Sequence, residues 1–216
     1  MASMKIGTHN LHDTTGVATP FADMIGFTEA IPRRVKDQIR KTHKLYVCGF
    51  QRDLIIAVRR DEKIRKVVKH YRPVHGGIPL VTPHRGVFWI TYERWVAGAW
   101  VREFFLVEHR INAAFPPYRR GEQWLRPRWW KKHTKISQRI ITRLVEKKGR
   151  RGSGGGDVNT PAGVDGYPDA PVQEFGDHFD RLFVVSTPVA ARPAQKPRRF
   201  RVLSKIGSDH HRLVLD

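Results

Sequence analysis

The chain has 216 residues, enough for one domain with a sizeable core, and its hydrophobic fraction of 40% excludes a disordered composition. Lys and Arg number 40 against 20 Asp and Glu, a formal charge of +20 that repels itself in a compact chain and points to a polyanionic partner, nucleic acid by default. A single cysteine, Cys48, excludes an internal disulfide and a cysteine-based metal site, and reads as a small buried hydrophobe.

The start, MASMKIGTHNLHD, has no apolar core of a signal peptide, and no apolar run approaches a membrane span. A soluble, cytoplasmic protein without a membrane partner is expected. Met4 to Asn10 reads as a first strand ending in polar residues. Ala22 to Ala30 (ADMIGFTEA) reads as a short helix running into a second strand edge. Pro32 opens a helix through IPRRVKDQIRKTH, with Pro in its first turn. KLYVCGF and DLIIAVRR follow as two strands joined tightly at Gln51 and Arg52. The stretch from Glu62 to Gly86 holds strand-like pieces and a Gly76-Gly77 turn. Gly86 to Tyr92 and Trp100 to His109 read as strands, the second ending in Glu108, His109, Arg110 and then Asn112.

Lys131 to Lys148 carries the helical period in Ile136, Ile140, Ile141, Leu144 and Val145. Its other face holds Lys131, Lys132, Lys135, Arg139, Arg143, Lys147 and Lys148, either a solvated face or a phosphate-facing one. Gly149 to Gly156 (GRRGSGGG) is low in complexity and reads as flexible. GGDVNT, Gly155 to Thr160, is either a turn or an edge that aims Asp157 and Asn159 together. A loop of Gly, Pro and Asp runs from there to about Gly176. HFDRLFVVS, FRVLSKI and RLVLD read as the last strands, with a Pro-rich basic stretch, VAARPAQKPRRF, before the second of them. Many strands with polar ends and few helices suggest an α/β sandwich with an active edge, as one domain over 1–216.

The polar residues at strand ends are, in order, Asn10, Glu29, His109, Asn112, Asp157, Asn159, Asp180, Asp209 and His210. Each alone is ordinary. In this order they resemble the endonuclease/exonuclease/phosphatase superfamily, the metal-dependent phosphoesterases of DNase I-like fold. The resemblance lies in THN at Asn10, FTEA at Glu29, VEH at His109 with Asn112 three residues on, GDVN at Asp157 and Asn159, FDRLFVVS at Asp180, and SDH at Asp209 and His210. It spans nearly the whole chain. It implies a four-layer α/β/β/α sandwich of two mixed sheets.

The resemblance implies a divalent cation, Mg²⁺ or Mn²⁺, held by Glu29 with Asn10 beside it and Asp209 on the same side; the cation offsets the phosphodiester's charge. It assigns Asp157 to the attacking water. Asn159 would share a face with Asp157 in extended chain and donate to the water or to phosphate. It assigns His210 to a phosphate oxygen, Asp180 to the far nitrogen of that ring, and His109 to the leaving-group side. One departure stands out: RRGSGGG occupies the place of a run of aliphatics, has low β-propensity, and is not expected to pack as a buried strand under Asp157.

Fold and shared residues do not fix the substrate. RPRWWKKHTK sets Arg128, Lys131 and Lys132 beside Trp129 and Trp130. The cations suit phosphates and the aromatics suit unpaired bases, although tryptophans in such a stretch are equally read as core. The leading expectation is a nuclease, with DNA ahead of RNA. The alternatives are a phosphatase of the same superfamily on a small phosphorylated substrate, and a nucleic-acid-binding protein with a decayed core, which the glycine run motivates.

Overall fold

In the computed structural model, the structure describes residues 4–11, 20–29, 33–49, 53–75, 85–112, 125–160, 164–176, 180–185, 199–203 and 212–216. The sequence alternates short strands with two helices. They are β1 (Ile6–Asn10), β2 (Met24–Thr28), α1 (Arg33–Thr42), β3 (His43–Val47), β4 (Ile55–Arg59), β5 (Ile64–His75), β6 (Arg85–Val96), β7 (Ala99–His109), α2 (Leu125–Thr142), β8 (Arg151–Asp157), β9 (Val172–Gly176), β10 (Asp180–Val185), β11 (Phe200–Leu203) and β12 (Arg212–Leu215). One π-helical turn, Arg143–Lys147, extends α2.

The strands form two mixed six-stranded sheets. Sheet A has the order β11-β12-β1-β2-β4-β3 and sheet B the order β5-β6-β7-β8-β10-β9. Only the central pairs β1–β2 and β7–β8 run parallel; the other pairs are antiparallel. Alternation along each strand sends one set of side chains inward and the next outward. Ile6, Met24, Ile56, Phe88, Ile90, Phe105 and Val107 meet between the sheets. The outer face of sheet A (Ile25, Phe27, Ile55, Ala57) packs on Val35 and Ile39, one turn apart on α1. The outer face of sheet B (Val87, Phe104, Leu106, Phe183) packs on α2 through Ile141. The four layers are therefore helix, sheet, sheet and helix. Cys48 is buried, and among the described residues no helix is long and apolar enough to cross a membrane.

Four expectations are corrected. MIGFT is a strand, not a helix: all five residues are buried, so neither face needs to be polar. Ile64–His75 is one long strand, β5, with register shifts in its pairing to β6, and the Gly76-Gly77 turn lies outside the described residues. Part of the loop expected before Gly176 is β9, an edge strand of sheet B.

The fourth correction concerns the glycines. RGSGGGD is β8, a central strand paired with β7 on one side and β10 on the other. Its flanking strands carry the bulk that it lacks. A Cβ at Gly152 would enter the Phe104 ring, and one at Gly154 would meet the Leu106 carbonyl and the Phe183 ring. The strand packs because large aromatics lie over its bare backbone. Asp157, at its end, is paired in register with both His109 and Asp180.

Candidate active site

Parallel pairing brings strand ends out together. Asn10 ends β1 and Glu29 follows the parallel strand β2, while His109 ends β7 and Asp157 ends the parallel strand β8. Antiparallel β10 brings its first residue, Asp180, to the same edge, opposite Asp157. The two sheets join there: the buried Asn10 amide donates to Asp157 Oδ2 at 2.9 Å. His109 Nε2 stands 3.4 Å from Glu29 Oε1 and 3.4 Å from Asp157 Oδ2. One polar atom from each of Glu29, His109 and Asp157 falls within 4.8 Å of the others.

Two further residues reach this edge. Asp53 precedes β4 and Arg85 opens β6; both strands run antiparallel to a site strand, so their starts lie where the site strands end. Asp53 Oδ2 is 3.7 Å from His109 Nδ1 and 3.4 Å from Arg85 Nη1. Sequence reading missed both. The available signal was a charge at the entry of an apolar strand, in DLIIAV and RGVFWI.

The electrostatics follow from burial. Burial lowers the His109 pKa to about 4, with help from the Arg85 charge, against the pull of Asp53 and Glu29. The imidazole is neutral at pH 7. Burial would raise the Asp53 pKa, but His109 and Arg85 beside it hold it below the usual value. Arg85 has Asp53, Asp157 and Glu29 around it, and their attraction opposes the loss from its burial. Two convergent carboxylates with side-chain exposures of only 20% and 4% repel each other across little solvent. That donor set, mostly oxygen, fits a hard divalent cation.

Backbone geometry adds a second mark. Glu29 has φ 68° and Asn159 has φ 45°, both in the left-handed region that non-glycine residues seldom occupy. The turn at Asn159 corrects the expectation that it shares an extended face with Asp157. Its amide instead donates to the Arg110 carbonyl at 3.0 Å. Arg110 N–H in turn donates to the Asp157 carbonyl at 2.8 Å. Asn112 lies just beyond, its carbonyl 3.5 Å from Arg126 on α2. Asp180 is buried at the edge, and Asp209 and His210 lie outside the described residues.

Behind the edge sits a charged cluster that sequence reading also missed. Glu108 and Arg110 are both fully buried. Glu108 accepts from Arg110 Nε and Nη2 (3.1 and 2.8 Å), from Ser137 (2.6 Å) and from Tyr167 (2.5 Å). Arg110 Nη1 donates to Thr134 and to the Gly166 carbonyl, each at 2.9 Å. Burial opposes the Glu108 charge, but Arg110 and then His133 hold its carboxyl far below the ordinary range.

Helix α2 supplies much of this cluster, and its geometry revises two expectations. The helix begins at Leu125, ahead of Lys131, and its buried stripe is Trp130, His133, Thr134, Ser137, Gln138 and Ile141. Most of that stripe is polar because it faces Glu108 and Arg110. Trp130, expected to contact bases, is only 8% exposed, and its indole N–H donates to the Val158 carbonyl at 2.9 Å. Trp129 is half-buried, while Arg128, Lys131 and Lys132 are exposed.

No family model and no curated protein matches the chain. Solved structures do. A mannosyl-6-phosphatase from Bacteroides thetaiotaomicron aligns at TM-score 0.66 and 13% identity, over 99% of this chain and 99% of that one. An endonuclease/exonuclease/phosphatase family protein from the same organism aligns at TM-score 0.64 and 13% identity, over 98% and 96% of the two chains. D. rerio TDP2, in complex with a single-strand DNA product, aligns at TM-score 0.63 and 14% identity, over 98% and 97%. The chain has the DNase I-like fold of the endonuclease/exonuclease/phosphatase proteins.

Proposed function

We propose that the protein is a divalent-metal-dependent phosphoesterase, and that its substrate is a nucleic-acid phosphodiester. The observation that carries this reading is the convergence of Glu29, His109 and Asp157 within 4.8 Å at one strand edge, with Asn10 bonded to Asp157. Glu29, with Asn10 and Asp157 beside it, would hold Mg²⁺ or Mn²⁺, and Asp209 is proposed on the same side. Such a cation offsets the charge of the phosphodiester and of its transition state.

The chain's own groups do the rest. Asp157, oriented by the Asn10 amide, accepts a proton from the attacking water and aims it. Neutral His109 donates one N–H to a phosphate oxygen without needing a charge. Arg85 adds a fixed cation beside the carboxylates. His210 is proposed as a further phosphate donor with Asp180 behind it, and Asn159 holds the Asp157 turn through Arg110. The exposed Arg128, Lys131 and Lys132 supply attraction for phosphates. The charge of +20 supports a polyanion over a small substrate, with DNA ahead of RNA. The glycine run, which argued for a decayed core, supports an intact one now that it forms β8.

One observation favours a second reading. The likeness to a mannosyl-6-phosphatase runs over 99% of both chains, which supports a phosphatase on a small phosphorylated substrate. A single experiment separates the readings. Pure protein is given single-stranded, double-stranded and abasic oligonucleotides, RNA and sugar phosphates, with Mg²⁺, Mn²⁺ or chelator. Metal-dependent cleavage of a polynucleotide is the expected result. Phosphate release with polynucleotides left uncut would replace it by the phosphatase, and no hydrolysis of any substrate would end the phosphoesterase reading.

A further inference from the structure

Among the described residues, the outer face of sheet B is covered over only part of its length. The apolar residues of α2 and its π turn end at Val145, and they pack on the half of the sheet nearer the proposed site. Beyond them, Trp95 and Trp100 remain 39% and 36% exposed and Val68 51% exposed. Trp95 and Trp100 are register partners across the β6–β7 hairpin, so they share a face, with ring centroids 5.2 Å apart at 63°. Exposed tryptophans are costly to leave in water and mark contact surfaces more often than isolated aliphatics do.

Cations surround this pair. Arg65 Cζ lies 3.9 Å from the Trp100 ring centroid. Glu93 lies on this face, and Arg65 (2.8 Å) and Lys66 (3.1 Å) both bind it. Arg102 stands opposite Glu93 in register, one strand step from Trp100, and is exposed. Arg150 follows the π turn, with Nη1 3.4 Å from the Glu103 carbonyl, and its charge is felt by both Arg102 and His70. Among the described residues named here, Arg65, Lys66, Arg102 and Arg150 outnumber Glu93 around the aromatics.

We propose that this uncovered face binds an unpaired stretch of nucleic acid, with Trp95 and Trp100 stacking on bases and Arg65, Arg102 and Arg150 meeting phosphates. The chemistry selects that occupant. Flat aromatics next to cations match a strand that offers open base faces and a phosphate every nucleotide. A duplex hides its base faces, and a protein partner would want more apolar area than three framed side chains. The surface lies apart from the catalytic edge. Trp100 and His109 are nine residues apart on one strand, about 30 Å at ~3.3 Å per residue. The site is thus a second contact that would hold a substrate's single-stranded arm away from the bond being cut. It rests on the nucleic-acid reading above.

The test is binding without chemistry. Fluorescein-labelled dT20, rU20 and a 20-base-pair duplex are titrated with the 216-residue chain in chelator, and anisotropy is read. Trp100→Ala should weaken dT20 and rU20 binding about 5- to 150-fold, the range of one stacked base. Duplex binding should change less than about twofold. Arg102→Glu, which removes no buried group, should weaken dT20 binding and lower its salt slope by about one phosphate contact, whereas Lys41→Glu on α1 should weaken it less. Equal dT20 affinity for wild type, Trp100→Ala and Arg102→Glu would overturn the proposal. So would an equal loss on duplex, or a Trp100-dependent affinity for anionic vesicles exceeding that for dT20. The proposal and the nuclease reading fail separately. A protein that cuts nothing but loses dT20 on Trp100→Ala keeps this surface, and one that cuts DNA but ignores the substitution loses it.

Discussion

Replacing Glu108 by Gln should be among the most damaging single changes in the protein. Glu108 offers no exposed surface, and its carboxylate accepts two N–H groups from Arg110, the Ser137 hydroxyl and the Tyr167 hydroxyl. The amide removes the charge and turns one acceptor into a donor facing donors. Arg110 is then a buried cation with no anion. Breaking a buried pair from one side costs about 3–5 kcal/mol, against about 5–15 kcal/mol for a whole domain. For a chain of this size that is a fall in Tm of about 6–20 °C.

The loss should reach the site as well. Arg110 N–H holds the Asp157 carbonyl, and its own carbonyl holds Asn159. A shift of about 1 Å there can cost roughly 10²-fold in rate, so turnover measured well below the lowered Tm should fall by about that factor. The double variant Glu108→Gln/Arg110→Met removes both charges. It should be more stable than the sum of the single losses by about 2 kcal/mol. Thermal unfolding of the four proteins and their metal-dependent turnover are the measurements. A Glu108→Gln protein within 2 °C of wild type, or strictly additive losses, would refute the reasoning.

Gly155→Ala should destabilise by about 1–3 kcal/mol, because the added methyl falls on the Arg181 carbonyl of the neighbouring strand; Gly49→Ala, where a methyl meets nothing within 4 Å, should leave Tm unchanged. Trp130→Phe removes the donor to the Val158 carbonyl and should cost about 1–3 kcal/mol, with turnover lost before oligonucleotide affinity; equal Tm would show that the bond holds nothing. Asp157→Asn or His210→Ala should abolish turnover while salt-sensitive binding survives, and wild-type cleavage by either variant would show its assigned role to be wrong. Burial lowers the His43 pKa below its ordinary value, and its ring lies between Thr42 Oγ1 (2.8 Å) and the Ala22 carbonyl (2.9 Å), partners that the neutral ring satisfies by accepting at Nδ1 and donating from Nε2. The folded form binds its proton less tightly, so this contribution is complete above about pH 6.5 and is lost as pH falls toward the folded value; His43→Gln should flatten Tm against pH in that window.

Asn10 and His109 were legible as strand ends, because each closes a run whose composition changes sharply; Asp157 was legible only by its place in the order of motifs. Glu29 was legible by its place in the order, although the strand before it was not: MIGFT is buried on both faces and shows no alternation. β8 was illegible for a physical reason. Glycine has poor intrinsic strand preference, and what makes RGSGGGD a strand is Phe104 and Phe183, far away in sequence and brought alongside only by pairing. Asp53 and Arg85 were missed on similar grounds. They start strands, and the start of a strand reaches the site only once the neighbouring strand is known to run the other way.

Helix α2 shows why the aromatic-basic stretch misled in part. RPRWWKKHTK suits either a nucleic-acid surface or a core, and the helix divides it between the two. Lys131, Lys132 and Lys135 point to solvent, while Trp130, His133, Thr134 and Ser137 point inward. At the end of β7, period-two alternation turns Glu108 toward that inner helix face and His109 toward the carboxylates of Glu29 and Asp157. The Trp130 indole then grips the carbonyl of Val158, the residue after Asp157. A helix whose outer face is basic is thus bonded through its inner face to the turn that aims Asp157. Trp130 bears on the proposed chemistry after all, by fixing that turn rather than by touching a base.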